Sequence, residues 1–152
     1  MTEVVAKHLR TQYELEHMRD QVNAEVLNGL TGEQYSIVAE DSVDCLATLL
    51  QKVKQRLTKY PEDSTHTTRL ENVITVKVGC KVMLQCNIDV TLGLGNGAIG
   101  RIHSVQRCID QANKVNTLTI MFSNNQEHYL KRVTTKFEVF DKAYVIHSQF
   151  PI

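Results

Sequence analysis

Near Leu70 the hydrophobic period of this chain changes, and that change constrains the fold more than any other feature. Upstream, apolar residues recur every three or four positions; downstream they alternate, and β-branched residues become frequent. A helical period cannot settle as a strand, so a two-part α+β architecture follows. From about Thr2 to Asn28 there is no Pro or Gly, and Leu15, Met18, Val22 and Val26 form one stripe, which predicts a packed first helix stopped by Asn28-Gly29. Glu33 to Ala39 alternates around Tyr35 and Ile37 and predicts a short strand ending at Glu40-Asp41. Asp41 or Ser42 then caps a second helix from Val43, with Leu46, Leu49, Leu50, Val53 and Leu57 on its buried face and Lys52, Lys54, Arg56 and Lys59 toward its C-terminal end. At helical spacing the leucines are core and the lysines a solvated face. Tyr60-Pro61 to Thr68 is a polar connector.

Beyond the connector, strands are expected over 73–78, 80–86, 98–106, 114–122, 127–133 and 136–140, with a last one running from Ala143 into the C-terminus. Short strands joined by turns such as Ser123-Asn124-Asn125 are too few for a sandwich and suit a small closed or partly open antiparallel barrel over about 73–145. Alternation places Val82, Leu84, Leu118, Ile120, Val139 and Val145 inward. The apolar, extended end at Phe150-Pro151-Ile152 has no terminator, so the chain is expected to be a fragment of a longer polypeptide.

Composition narrows the function. At 152 residues, 42% hydrophobic and 22% charged, the chain has the make-up of a globular domain and not of a disordered one. No run reaches the roughly 18 to 20 apolar residues of a membrane span, and Met1 to Arg10 lacks the apolar core of a signal peptide, so an intracellular site without membrane partners is expected. Cys45, Cys80, Cys86 and Cys108 are scattered and read as reduced, buried thiols; the six histidines form no metal-binding pair. The net charge of zero conceals an asymmetry: residues 1–72 carry 8 basic against 12 acidic side chains, residues 73–152 carry 9 against 5. A surplus of four in the β-rich part could face an anion, though it falls short of the dense basic stripe of a dedicated nucleic-acid binder. The candidate contacts are Lys81, Arg101, Lys131 and Arg132, on strands or strand ends; the alternative for each is a solvated surface charge. Asn87 and Asn96 are expected to organise turns.

The stretch 92–100, LGLGNGAIG, contains Gly-x-Gly-x-Gly, yet a phosphate loop needs a helix opening directly after it, and here a strand follows. A tight connection with positive φ at Gly95 or Gly97 is the expected reading. There is no Gly-Lys-Ser/Thr.

Residues 73–102, VITVKVGCKVMLQCNIDVTLGLGNGAIGRI, resemble the 2B subdomain of petite-integration-frequency (PIF-type) DNA helicases and of Helitron transposon helicases. Lys77 and Gly79, Val82-Met83-Leu84, Asn87 and Asp89, Gly93-Leu94, Asn96-Gly97 and Gly100 follow that family's pattern in order and spacing. Upstream, Val22-Asn23, Val26-Leu27, Leu30, Gly32-Glu33 and Asp41 are similar to the region after motif IV, and Gln149-Phe150-Pro151-Ile152 to the family's Gln-Phe-Pro segment. Two departures are Glu14-Leu15-Glu16 in place of Thr-Asn and His147-Ser148 in place of basic residues.

The resemblance implies a helical root of the second RecA-like motor domain over residues 1–70, a Src-homology-3-like 2B barrel over 71–148, and a return strand over 149–152 into the remainder of the motor domain. It implies turn-organising roles for Gly79, Asn87, Asp89, Gly93, Asn96, Gly97 and Gly100. It also implies an ATP-dependent 5′-to-3′ helicase, acting in DNA repair or recombination in the nucleus or mitochondrion of a eukaryote, or in a transposon. ATP and Mg would serve the full-length enzyme, while this chain, with no Walker A lysine, Walker B acidic pair or arginine finger, binds no cofactor and has no catalytic residue. Its partners would be single-stranded DNA and the other motor domains. The alternative is a free-standing adaptor barrel or a decayed transposon-helicase remnant.

Overall fold

The computed structural model describes residues 3–59, 70–140 and 142–152, with 3–11 described by backbone alone; the polar connector lies outside the described residues. By its contacts the chain divides into two units, Met1–Glu33 and Gln34–Ile152. The first holds one helix, α1, Glu3–Gly29, which stops at the expected glycine. Its stripe is not packed as expected: Leu15, Met18, Val22 and Val26 are all exposed. Spacing identifies a common face of a helix without saying whether anything covers it.

The second unit is built from strands around one further helix. In chain order these are β1 (Gln34–Val38), β2 (Glu40–Asp44), α2 (Ala47–Lys59), β3 (Val73–Lys77), β4 (Lys81–Met83), a 3₁₀ turn (Val90–Leu92), β5 (Ile99–Arg107), β6 (Val115–Phe122), β7 (Glu127–Leu130), β8 (Val133–Phe140) and β9 (Ala143–Gln149). The α+β class stands. Among the described residues the barrel is not closed: the strands pair as a two-stranded sheet β1-β3, a three-stranded sheet β2-β9-β8 and an open four-stranded sheet β4-β5-β6-β7, all antiparallel. β3 leaves the expected barrel to pair with β1, and β8 and β9 pair with β2 rather than with the four-stranded sheet.

The second correction concerns residues 40–44. Asp41 and Ser42 do not cap a helix; they lie in β2, opposite His147 and Ile146 of β9, and α2 begins only at Ala47. On α2, Leu49, Val53 and Leu57 face the sheet and pack on Ala143 and Val145, whereas Leu46 and Leu50 are exposed. Val43, Cys45, Phe137, Val139 and Phe140 complete that core. Basic residues near the helix end contribute beyond the macrodipole: the Arg56 guanidinium sits 5.2 Å above the Phe140 ring.

The inward set stands, although on β6 the polar neighbours Thr117 and Thr119 are buried too. Leu84, Leu118, Ile120 and Val145 are buried, Val82 and Val139 half-buried, and none of the six is exposed. Of the cysteines, Cys80 alone is buried and the other three are half-buried; all four are free thiols. Burial pushes the Cys80 and Cys86 thiols above their ordinary range. No helix among the described residues is long and apolar enough to cross a membrane.

Candidate nucleic-acid interface

The Gly-rich segment between β4 and β5 positions the site, and its geometry follows from its polar residues. Asp89 accepts hydrogen bonds from the backbone N–H of Thr91 at 3.0 Å and from the Thr91 hydroxyl at 2.5 Å, so it caps the 3₁₀ turn. That hydroxyl bond, more than any other contact, holds the Asp89 carboxyl below the usual carboxylate range. Gly93 ends the turn in the left-handed region at φ 77°. The Asn87 side chain accepts from the backbone N–H of Asn96 at 2.7 Å and so ties the start of the loop to its end. Gly97, at φ 88°, carries the second sharp bend, and the N–H of Gly97 and the carbonyl of Ala98 both bond Leu84. Of the two glycines expected to have positive φ, Gly97 has it.

These turns close upon their own backbone and lead into strand β5. A nucleotide phosphate needs free N–H groups at a helix start, so the segment does not fit one. What it does is bring β4 against β5. At Gly79, φ 89°, the chain turns back so that its N–H donates to Ile102 at 2.7 Å, and its carbonyl accepts from Arg101 Nη1 at 2.6 Å. Gly100 is required for a different reason: a Cβ there would run into the Ile120 side chain and stand 3.1 Å from both the Met121 carbonyl and the Phe122 ring.

The register then sets one row of side chains across the outer face of the sheet. Lys81 on β4 faces Arg101 on β5, Arg101 faces Met121 on β6, and Met121 faces Glu127 on β7. A bulge between Ile102 and Ser104 leaves His103 exposed, with Nε2 3.4 Å from Glu127. Lys81, Arg101, His103, Ile99, Met121 and Ser123 line a shallow open cavity of about 370 Å³. Two cations, a histidine and apolar side chains thus share one accessible surface. Phosphates and bases can meet such a surface together.

The four basic candidates separate. Lys81 and Arg101 are register neighbours and both exposed. Lys131 is exposed but lies past the Leu118–Leu130 pair, toward the end of β6 away from Met121. Arg132 turns inward: Nη1 donates to the carbonyls of Val38 at 3.0 Å and Ser148 at 3.2 Å, and to Gln149 Oε1 at 3.3 Å. Its guanidinium also lies 5.3 Å above the Phe150 ring and 3.7 Å from Glu40. Glu40 is held below the usual carboxylate range first by its hydrogen bond with Lys114, 2.7 Å away, and then by Arg132. Among the described residues, no group of three or more His, Cys, Asp or Glu is arranged to hold a metal ion.

His103 and Tyr129 belong to the outer face and were not among the sequence candidates. The signal for both existed: His103 is two residues from Arg101 on an alternating strand, and Tyr129 two from Glu127.

Comparison with known proteins adds three findings. No protein-family model matches the chain. Over 35 residues, 23% of this chain and 4% of the relative, it is 46% identical to ATP-dependent DNA helicase PIF7 of Trypanosoma brucei brucei. Its fold is similar to that of Pif1 helicase from Candida albicans (TM-score 0.55, 20% identity, 87% of this chain and 30% of that one). It is similar also to unliganded Pif1 from Bacteroides sp (0.57, 17% identity, 90% and 27%) and to Bacteroides Pif1 bound to ssDNA (0.58, 16% identity, 90% and 27%). The chain spans under a third of those structures and about a twenty-fifth of the curated relative. A local sequence match and the fold therefore lead independently to the PIF-type helicases that residues 73–102 resemble.

Proposed function

We propose that this chain, similar in sequence and fold to PIF-type DNA helicases, is part of an ATP-dependent 5′-to-3′ DNA helicase. Its Gly-rich turn and four-stranded sheet act as a 2B-type accessory module, Src-homology-3-like in the complete protein, that steadies single-stranded DNA as the motor translocates. The observation that carries this reading is the pairing of Lys81 with Arg101 on the open face of the sheet beside His103. Each cation there can neutralise a phosphate and release its counterion. The sequence carries no Walker A lysine, Walker B acidic pair or arginine finger, so ATP and Mg would be served by the motor parts of a full-length enzyme.

The test is fluorescence anisotropy of a labelled oligo-dT strand titrated with the 152-residue chain over a range of salt. Binding should be weak and should fall as salt rises, and Lys81→Ala with Arg101→Ala should reduce the log–log slope by about 1.4, two contacts at roughly 0.7 each for a single strand. An unchanged slope in a folded double variant would refute the contact and favour a protein-binding adaptor.

A further inference from the structure

The outer face of the four-stranded sheet holds one large aromatic side chain that neither the fold nor the cation pair uses. Tyr129, on β7, is 69% exposed. It lies opposite Thr119 of β6, which in turn lies opposite Ser104 of β5. Residues two apart on a strand share a face, so Tyr129 stands on the same side as Glu127, and Thr119 on the same side as Met121 and Arg101. Thr119 is buried and Ser104 half-buried, so on this row across β5, β6 and β7 the exposed side chain is that of Tyr129. Two strand spacings, about 10 Å, separate β5 from β7.

Charge on this face is arranged unequally. Lys81 and Arg101 occupy the β4–β5 side, whereas Glu127 occupies β7, next to the tyrosine and 3.4 Å from His103. A phosphate is attracted to the first side and repelled from the second. A single strand crossing the sheet therefore lays its backbone along β4 and β5 and turns its bases toward β7. Every base has a π-face, and an exposed tyrosine ring is a platform for one.

We propose that Tyr129 is a base-stacking residue, so that the sheet distinguishes a strand carrying bases from a bare sugar–phosphate chain, with Glu127 keeping the backbone on the Lys81–Arg101 side. This inference rests on the proposed single-strand contact and deepens it.

The two can be told apart with two probes of equal length, oligo-dT and an abasic deoxyribose-phosphate oligomer, each binding the 152-residue chain at several salt concentrations. The wild-type chain should prefer oligo-dT by roughly tenfold, the scale of one stacked base. Tyr129→Ala should abolish that preference and leave the salt slope unchanged; Tyr129→Phe, which keeps the ring, should retain it. Lys81→Ala with Arg101→Ala should lower the slope for both probes and keep the preference. Because the chain contains no tryptophan, Tyr129→Trp supplies a unique fluorophore, and oligo-dT should quench it where the abasic oligomer does not. A Tyr129→Ala variant that still prefers oligo-dT as the wild type does, or a wild type that binds both probes equally, overturns the stacking role while the phosphate contact stands. A wild type that binds neither probe overturns both.

Discussion

Arg132 Nη1 donates to Gln149 Oε1 at 3.3 Å, and through this pair the end of β9 is tied to the connection that leads into β8. Gln149 is fully buried; its Nε2 donates to the carbonyls of Ile37 at 3.2 Å and Glu71 at 3.0 Å, and its Oε1 accepts from the N–H of Phe150. Phe150 and Pro151 are buried as well, and the Pro151 carbonyl accepts from Gln85 at 2.9 Å. The Gln-Phe-Pro segment thus joins β1, the entry to β3, the start of β8 and the Gly-rich loop. Arg132 is a member of this knot and not a free cation.

Arg132→Ala should accordingly destabilise the fold by about 2 kcal/mol or more, because three acceptors lose a charged donor. Lys131→Ala, on an exposed side chain, should stay within about 0.5 kcal/mol. Urea unfolding of the two variants separates them. Equal small effects would mean that the Arg132 contacts carry no stability.

Gly100→Ala tests the close approach of β5 to β6. Ile120 is fully buried and stiff at χ1, and the Met121 carbonyl is backbone, so neither yields easily to a new methyl group. Overpacking of this kind costs about 1–3 kcal/mol. Gly95→Ala meets only the Asn87 side-chain oxygen, at an ordinary 3.4 Å, and should cost less. A thermal melt in which Gly95→Ala is the worse variant would contradict the packing described.

How much of this was legible in the sequence depends on the kind of interaction. The period change, the strands from Val73 onward and the inward set around Leu118 and Ile120 are local patterns; most strand ends stand within a residue or two, while β4 and β7 end three residues before the expected bound and β8 begins three residues before it. Sheet membership is not local: alternation says which way a side chain points and not which strand lies beside it. β1 with β3 and β2 with β9 are joined across long stretches of chain, so the division of the strands among three sheets is not legible from alternation. β2 was hidden because Glu40-Asp41-Ser42-Val43-Asp44 has one apolar residue, and β9 supplies its pairing. In the candidate site, Lys81 and Arg101 were legible as strand cations. Arg132 was misjudged because its acceptors, Val38, Ser148 and Gln149, are invisible to a count of charge.

Acid should weaken the fold through Glu40 and Asp89. Both carboxyls are held below their usual range, Glu40 by Lys114 and Asp89 by the Thr91 hydroxyl. A carboxyl with a depressed pKa in the folded state contributes stability that is present above its unfolded pKa of about 4 and is lost as pH falls through the folded value. Glu40→Gln and Asp89→Asn should therefore be less stable than wild type near neutral pH, with the gap closing below about pH 4. For Glu40, a half-exposed ion pair, the gap should be modest, about 0.2–1 kcal/mol. Parallel unfolding curves at pH 7 and pH 3 measure it, and a gap that widened in acid would reverse the assignment.

The face of α2 gives the last expectation. Val53 is fully buried against Ala143 and Val145, while Leu50, three residues earlier on the same helix, is 37% exposed. A sequence pattern treats both as core, but burial assigns them unequal weight. Fully burying a valine side chain is worth about 1.5–3 kcal/mol, and truncating one leaves a cavity that the flanking strands fill only in part. Val53→Ala should cost roughly 2 kcal/mol on that scale. Leu50→Gln keeps helix propensity nearly constant and should cost under about 1 kcal/mol, since part of the leucine is already in water. Chemical denaturation of the two variants with unchanged m-values would isolate the packing difference. A Leu50→Gln loss equal to that of Val53→Ala would mean that α2 seats a different face on the β2-β9-β8 sheet.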